Sequence, residues 1–288
     1  MLKKIIFIFL AFFVLLSKLQ VEYNYLERET ISPQTINVIT ENNNLEELNN
    51  LIYFDKQTEY VDSNKDIAII PKDFAISTRK NENTIKDGLV IIDKNLNEFV
   101  FIPTNEKSFN NTINYKEDFK KISKEIKNSN GFFVSRFEIG SEIYNVYDKI
   151  YSKQNLYPVI GLELNNINNV INNFSKENNI NVMLLQNECY EEILNFISNK
   201  SNYKLGNYSN KLNKTGNNLE YKVNNIFDFS GNCNELTIGN NLNENFFLRG
   251  GNYLYDTSIS NFDEKIPFNS DYYSGTIPTS FRIMFYTK

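Results

Sequence analysis

The side chains this sequence contains limit its chemistry before any element is placed. The chain has 288 residues, no histidine, no tryptophan and two cysteines, Cys189 and Cys233. Without histidine there is no Ser-His-Asp or Cys-His activation of a nucleophile, and the commonest general base and metal ligand is missing. Two thiolates alone do not complete a structural zinc tetrahedron. Cys189 and Cys233 are either a disulfide or two buried free thiols, and the sequence leaves both open. The adjacent carboxylates Glu191 and Glu192 read as the solvated face of a helix. Gly250-Gly251 lacks the context of a phosphate loop and reads as a tight turn or a close backbone approach. With 30 basic and 35 acidic residues, net charge −5, there is no nucleic-acid footprint.

The elements that must position these residues follow from hydrophobic spacing. DGLVIIDKNLNEFVFIP, residues 87–103, predicts a hairpin: Leu89 to Ile92 and Glu98 to Ile102 are β-rich runs joined by the turn-forming Asp93-Lys94-Asn95. Phe119, Ile122 and Ile126 share one helical face that ends near Gly131. GFFVSRFEIG, from Gly131, predicts a strand. Leu164, Ile167, Val170, Ile171 and Phe174 predict a second helix. Tyr190, Ile193, Leu194 and Ile197 predict a third, with Asn187 as N-cap and acidic residues in its first turns. SFRIMFYTK closes the chain as a terminal strand. Few helices, many short strands and long irregular connections argue for an α+β domain.

The N-terminus has a different character. Lys3 and Lys4 precede an unbroken apolar run from Ile5 to Leu16. About twelve residues suit a signal-peptide core better than a free-standing span, which needs about twenty. Residues 1–20 are therefore expected to be a signal peptide or an uncleaved membrane anchor, so that the N-terminus inserts in or passes through a membrane. Residues 21–69 read as a polar extension or stalk, and 70–288 as the domain.

Several stretches carry a resemblance, in order along the chain: Pro71 and Phe74, then GLVIIDKNLNEFVFIP, SNGFFVSRFEIG and Pro158-Val159. NECYEEILNFI, VNNIFDFSGNCNELT, LRGGNY and SFRIMF follow. In this order they resemble the formylglycine-generating enzyme, or sulfatase-modifying-factor, domain, in the branch found in prophage and cell-surface proteins of Firmicutes. Tryptophans of that family are replaced here by Phe101, Tyr190, Asn234, Leu236 and Tyr253. The resemblance implies the family's irregular α+β fold, distantly like C-type lectins, with an N-terminal apolar helix ahead of it.

For function the resemblance is equally specific. Family members that oxidise cysteine to formylglycine hold copper on two cysteines, and the matching positions here are Tyr255 and Ser260. Neither supplies the soft thiolate that Cu(I) requires, so no catalytic residue and no copper are expected. The family's calcium ligands match Asn232 and Glu235, oxygen donors of the type calcium takes. Lectin-like relatives present ligand-facing residues after the double glycine. The corresponding stretch here holds Tyr253, Tyr255, Asp256, Asn261, Asp271, Tyr272 and Tyr273, a mixture that binding surfaces favour. The implied function is extracytoplasmic recognition of a protein or glycan ligand, by an exported protein that is anchored in the membrane or released. The alternatives are a structural prophage-tail or surface-assembly protein and a formylglycine-generating oxidase.

Overall fold

A computed structural model describes residues 51–109, 115–200, 205–240, 246–254, 266–267 and 278–287. The expected apolar helix at 1–20 and the extension up to residue 50 lie outside these. Among the described residues no helix is long and apolar enough to cross a membrane. One compact unit runs from Glu47 to Lys288, and it is a mixed α+β fold with few helices and mainly antiparallel sheets.

The chain opens with a hairpin, β1 (Thr58–Val61) and β2 (Ile67–Ile70). Next come β3 (Phe74–Ile76), β4 (Val90–Asp93) and β5 (Glu98–Pro103), then helix α1 (Glu117–Asn128) and β6 (Gly131–Ser135). A short pair, β7 (Gly140–Ser141) and β8 (Tyr157–Pro158), leads to α2 (Leu164–Asn178), β9 (Met183–Leu184) and α3 (Asn187–Ile197). The tight hairpin of β10 (Lys222–Val223) and β11 (Ile226–Phe227) precedes β12 (Asn234–Ile238) and β13 (Phe246–Arg249). Strands β14 (Ile266–Pro267), β15 (Thr279–Phe281) and β16 (Ile283–Phe285) complete the order.

Two sheets organise the fold. The larger has six strands in the order β3-β4-β5-β6-β16-β9, and every neighbouring pair is antiparallel. Side chains on a strand alternate between faces, and here both faces are covered. Ile91, Phe99, Phe101, Phe133, Ile283 and Phe285 pack in one cluster with Ile167, Ile171 and Phe174 of α2. Val90, Ile92, Val100, Ile102, Phe132, Val134 and Met284 pack in the other with Phe119 and Ile126 of α1 and with Ile193 and Ile197 of α3. This explains why β4 to β6 read as unbroken apolar runs and not as alternating ones: neither face meets water. Phe285 is the keystone of the first cluster, stacked on Phe133 at 5.0 Å and edge-on to Phe99 at 5.1 Å.

The second sheet has the order β14-β13-β12-β15, with β12 and β15 parallel. The expected terminal strand is therefore two strands. Phe281 belongs to the second sheet and Ile283 to the first, and Arg282 lies at the crossover between them.

Two other expectations change. The boundary at residue 70 moves toward the N-terminus. Ala68 and Ile70 are fully buried in the first cluster, and Phe54 exchanges backbone hydrogen bonds with Asp73 and Phe74 at 2.8 and 2.9 Å. The short, half-exposed β1 concealed this, because its partner contributes only two core side chains. Asn187 is not the N-cap of α3. Gln186 holds that place with no side-chain capping bond, and Asn187 is the first helical residue. Its amide oxygen is committed elsewhere.

Candidate functional site

The motif residues converge where α3 meets the second sheet. On β12, Glu235 stands in register with Arg249 of β13 on one side and with Ser280 of β15 on the other. The stretches GNCNE, RGG and SFR are thereby brought together. Gly250 and Gly251 follow β13 with φ of +84° and +72°, values that glycine adopts without strain. A Cβ on Gly250 would lie 3.1 Å from the carbonyl oxygen of Phe229, so the double glycine is a turn with close backbone approach.

Arg249 is buried and lies over the Tyr190 ring at 4.4 Å. Its Nη1 donates to Oδ1 of Asn187 at 2.9 Å and to Oε1 of Glu191 at 2.6 Å. Tyr190, fully buried, stacks on Phe229 at 4.4 Å, and Arg282 lies 5.7 Å from that ring. Cation, phenol, phenyl and cation thus form one column fixing α3 to β13. Glu191 is half-exposed and Glu192 accepts from Ser108 at 2.9 Å, so the pair expected to be wholly solvated is partly engaged.

Below this column is a buried polar network. Arg282 donates through Nε to Glu235 at 2.6 Å, through Nη1 to the carbonyls of Ser135 and Arg136, and through Nη2 to that of Phe227. Burial pushes the Glu235 carboxyl up to about 7, against the pull of Arg282. Asp228 is pushed up to about 6 by burial, opposed by the Gly216 amide it accepts from at 2.7 Å and by Arg282. Glu138 is raised well above the carboxylate range, first by burial and then by Asp228. Its oxygens accept from the Cys233 amide at 2.9 Å and from Asn232 Nδ2 at 2.5 Å.

These bonds engage both residues of the calcium expectation, Asn232 and Glu235. Asn232 Oδ1 accepts from Asn207 Nδ2 at 2.9 Å and from the Asn213 amide at 3.0 Å, while its main-chain oxygen accepts from Tyr253 at 3.0 Å. Glu235 is turned to Arg282. The cation facing Glu235 is the Arg282 guanidinium, at its Oε1, while its Oε2 is buried without a hydrogen-bond partner among the described residues. Among the described residues no group of three or more His, Cys, Asp or Glu is arranged to hold a metal ion.

Both cysteines are buried free thiols. Burial, then Glu188, pushes Cys189 well up, and burial, then Glu138, does the same to Cys233. Neither thiol is activated, because activation needs an electropositive, accessible setting.

Of the expected ligand-facing residues, Tyr253 is half-buried on the turn after the double glycine. Tyr255, Asp256, Asn261, Asp271, Tyr272 and Tyr273, together with Ser260, lie outside the described residues. Sequence reasoning passed over Arg282, although a signal for it existed: an arginine inside FRIMF interrupts an apolar strand, and a buried position there demands acceptors.

Comparison with protein-family models, curated proteins and solved structures finds no match to this chain.

Proposed function

We propose that this chain is an exported recognition protein, non-catalytic, built on a sulfatase-modifying-factor-like scaffold. The observation that carries the non-catalytic part is the fate of the motif side chains. Arg249, Arg282, Asn232, Glu138 and Glu235 are buried; Arg249 is bonded to Asn187 and Glu191 of α3, and the other four to one another or to the backbone. A group that accelerates a reaction must reach the reacting atoms, and these are turned inward. The two thiols lie in other motifs and are held protonated. The recognition part rests on the sequence resemblance and on the Tyr-, Asn- and Asp-rich stretch from 252 to 280.

The test has two arms. The purified full chain, supplied with copper, oxygen and a cysteine-containing peptide, is expected to form no aldehyde on the peptide; stoichiometric aldehyde would overturn the non-catalytic reading. The same protein is then applied to an array of surface glycans and proteins. Deleting residues 261–273 is expected to abolish the binding seen while the melting temperature stays put. Binding that survives the deletion places recognition elsewhere.

A further inference from the structure

Two buried polar atoms of the second sheet have no hydrogen-bond partner among the described residues: Glu235 Oε2 and Ser280 Oγ. Glu235 is 0 % exposed and Ser280 1 %. A polar atom in such a place costs free energy unless something small and polar meets it.

The register brings the two side chains together. Glu235 of β12 stands opposite Ser280 of β15, and the next pair along is Leu236 opposite Phe281. Leu236, Phe281 and Leu248 are buried in the first apolar cluster. Side chains alternate along a strand, so Glu235 and Ser280 share the opposite face, with Arg249 in register beside Glu235 on β13. That face is roofed by the Tyr190–Phe229 stack. Arg249 lies over the Tyr190 ring at 4.4 Å, and Arg282 lies 5.7 Å from that of Phe229. Arg282 comes two residues after Ser280 and holds Glu235 by its other oxygen, Oε1, at 2.6 Å. The carboxyl is thereby drawn to the β15 side, and Oε2 is left in the enclosed layer that also holds the Ser280 hydroxyl.

The size and chemistry of that layer select an occupant. Neighbouring strands lie about 4.8 Å apart, and two hydrogen bonds of about 2.8 Å through one shared oxygen span such a gap. The two side chains do not bond to each other directly. A cation is disfavoured, because the Arg282 guanidinium already faces this carboxyl, and among the described residues no group of three or more His, Cys, Asp or Glu is arranged to hold a metal ion. A water molecule suits both atoms: it donates to a carboxylate oxygen, and it can donate to a hydroxyl or accept from one.

We infer that one internal water molecule bridges Glu235 Oε2 and Ser280 Oγ, seated between β12 and β15 beneath the Tyr190–Phe229 stack. It fastens the three-residue β15 to its neighbour through side chains, directly before the chain crosses to β16 at Arg282. The assignment does not rest on the proposed recognition role.

Two measurements on the full chain test it. A crystal structure that resolves ordered water is expected to show one peak about 2.6–3.2 Å from both oxygens. Magnetic relaxation dispersion of the solvent's oxygen nuclei counts the water molecules held inside the protein in solution. Ser280→Val puts a methyl group where the hydroxyl stands, and is expected to hold one fewer than the wild type. The wild-type crystal decides the matter if that variant does not fold. The inference fails if no peak lies between the two oxygens, or if they bond to each other directly. It fails too if the peak lies about 2.3–2.6 Å from six or more oxygens, the mark of a calcium ion, or if the folded variant keeps the wild-type count.

Discussion

Arg282 sits where the backbone leaves one sheet and enters the other, with no exposed surface. Its guanidinium donates to the carbonyls of Ser135 and Arg136 at the end of β6, to that of Phe227 in β11, and to Glu235. Replacing Arg282 with Met is expected to cost about 3–5 kcal/mol at pH 8, because it leaves a buried carboxylate and orphaned carbonyls. The loss should be smaller at pH 5, where Glu235 accepts a proton in place of the guanidinium. Denaturant melts of the variant at the two pH values will show the difference, and equal losses would mean that the carbonyls alone set the cost. The wild type carries the same signature. The folded Glu235 and Asp228 titrate near 7 and 6, above their ordinary values of 4.5 and 3.8. Their stabilisation is fully present below those ordinary values and is lost as pH rises through the folded ones. Glu82 has the opposite sign: burial raises it, but Arg136 and then Arg79 outweigh burial and hold it below 4.5. Its contribution is present above 4.5 and is lost as pH falls through the lowered value. Unfolding free energy is therefore expected to peak on the acid side of neutrality and decline toward pH 8, and Glu235→Gln should flatten that decline.

At the scale of elements, the packing of α3 depends on a ring. Tyr190 separates Arg249 from Phe229 and is wholly enclosed. Its hydroxyl reaches the Phe229 carbonyl at 3.5 Å, the outer limit of a useful bond. Tyr190→Phe keeps the ring in the column and is expected to cost less than Tyr190→Ala, which opens the column and should cost about 3–5 kcal/mol. Urea midpoints will separate the two, and a large loss in the Phe variant would show that the hydroxyl contributes more than its distance suggests. The helices and the 87–103 hairpin were legible because local spacing decides them: Ile167, Ile171 and Phe174 bury one face, and the Asp93 carboxylate accepts from the Asn95 and Asn97 amides across the turn. What local spacing does not carry was missed. The parallel pairing of β12 with β15 joins residues more than forty positions apart. The split of the terminal strand depends on where Arg282 finds acceptors. The start of α3 was misplaced because Asn187 is drawn to Arg249, on a distant strand, and not to its own helix. At the candidate site the same division holds: the double-glycine turn was visible in the residues, while the partners of Asn232 and Glu235 come from Asn207, Glu138 and Arg282, remote in sequence.

For the whole molecule, the N-terminal boundary is the most direct question of stability. A polar composition set residues 21–69 apart from the domain, yet the compact unit begins at Glu47. The β1–β2 hairpin contributes more than its two strands. Ala68 and Ile70 have no exposed surface, and Asp62 Oδ2 accepts from the Ile85 amide at 2.8 Å, anchoring the loop that leads to Gly88, whose carbonyl accepts from Asn225 of the β10–β11 turn. A chain starting at Glu47 is expected to melt at the temperature of the full chain. A chain starting at Pro71 loses both core side chains and the acceptor for Ile85, and the exposed faces of β3 and β4 must then meet water. Burying side chains of that size contributes about 1–3 kcal/mol each, a large share of the margin of a marginally stable domain. The shorter chain should therefore melt many degrees lower, as the 81–88 loop loses its anchor. Chelator, by contrast, is expected to leave both melting temperatures unchanged, since Arg282 supplies the positive charge that Glu235 needs. Calorimetric scans of the two chains, each with and without chelator, distinguish these effects. If the chain starting at Pro71 melts like the longer one, the hairpin is peripheral. If chelator lowers the melting point of either, a metal ion supplies charge that the protein's own cations do not.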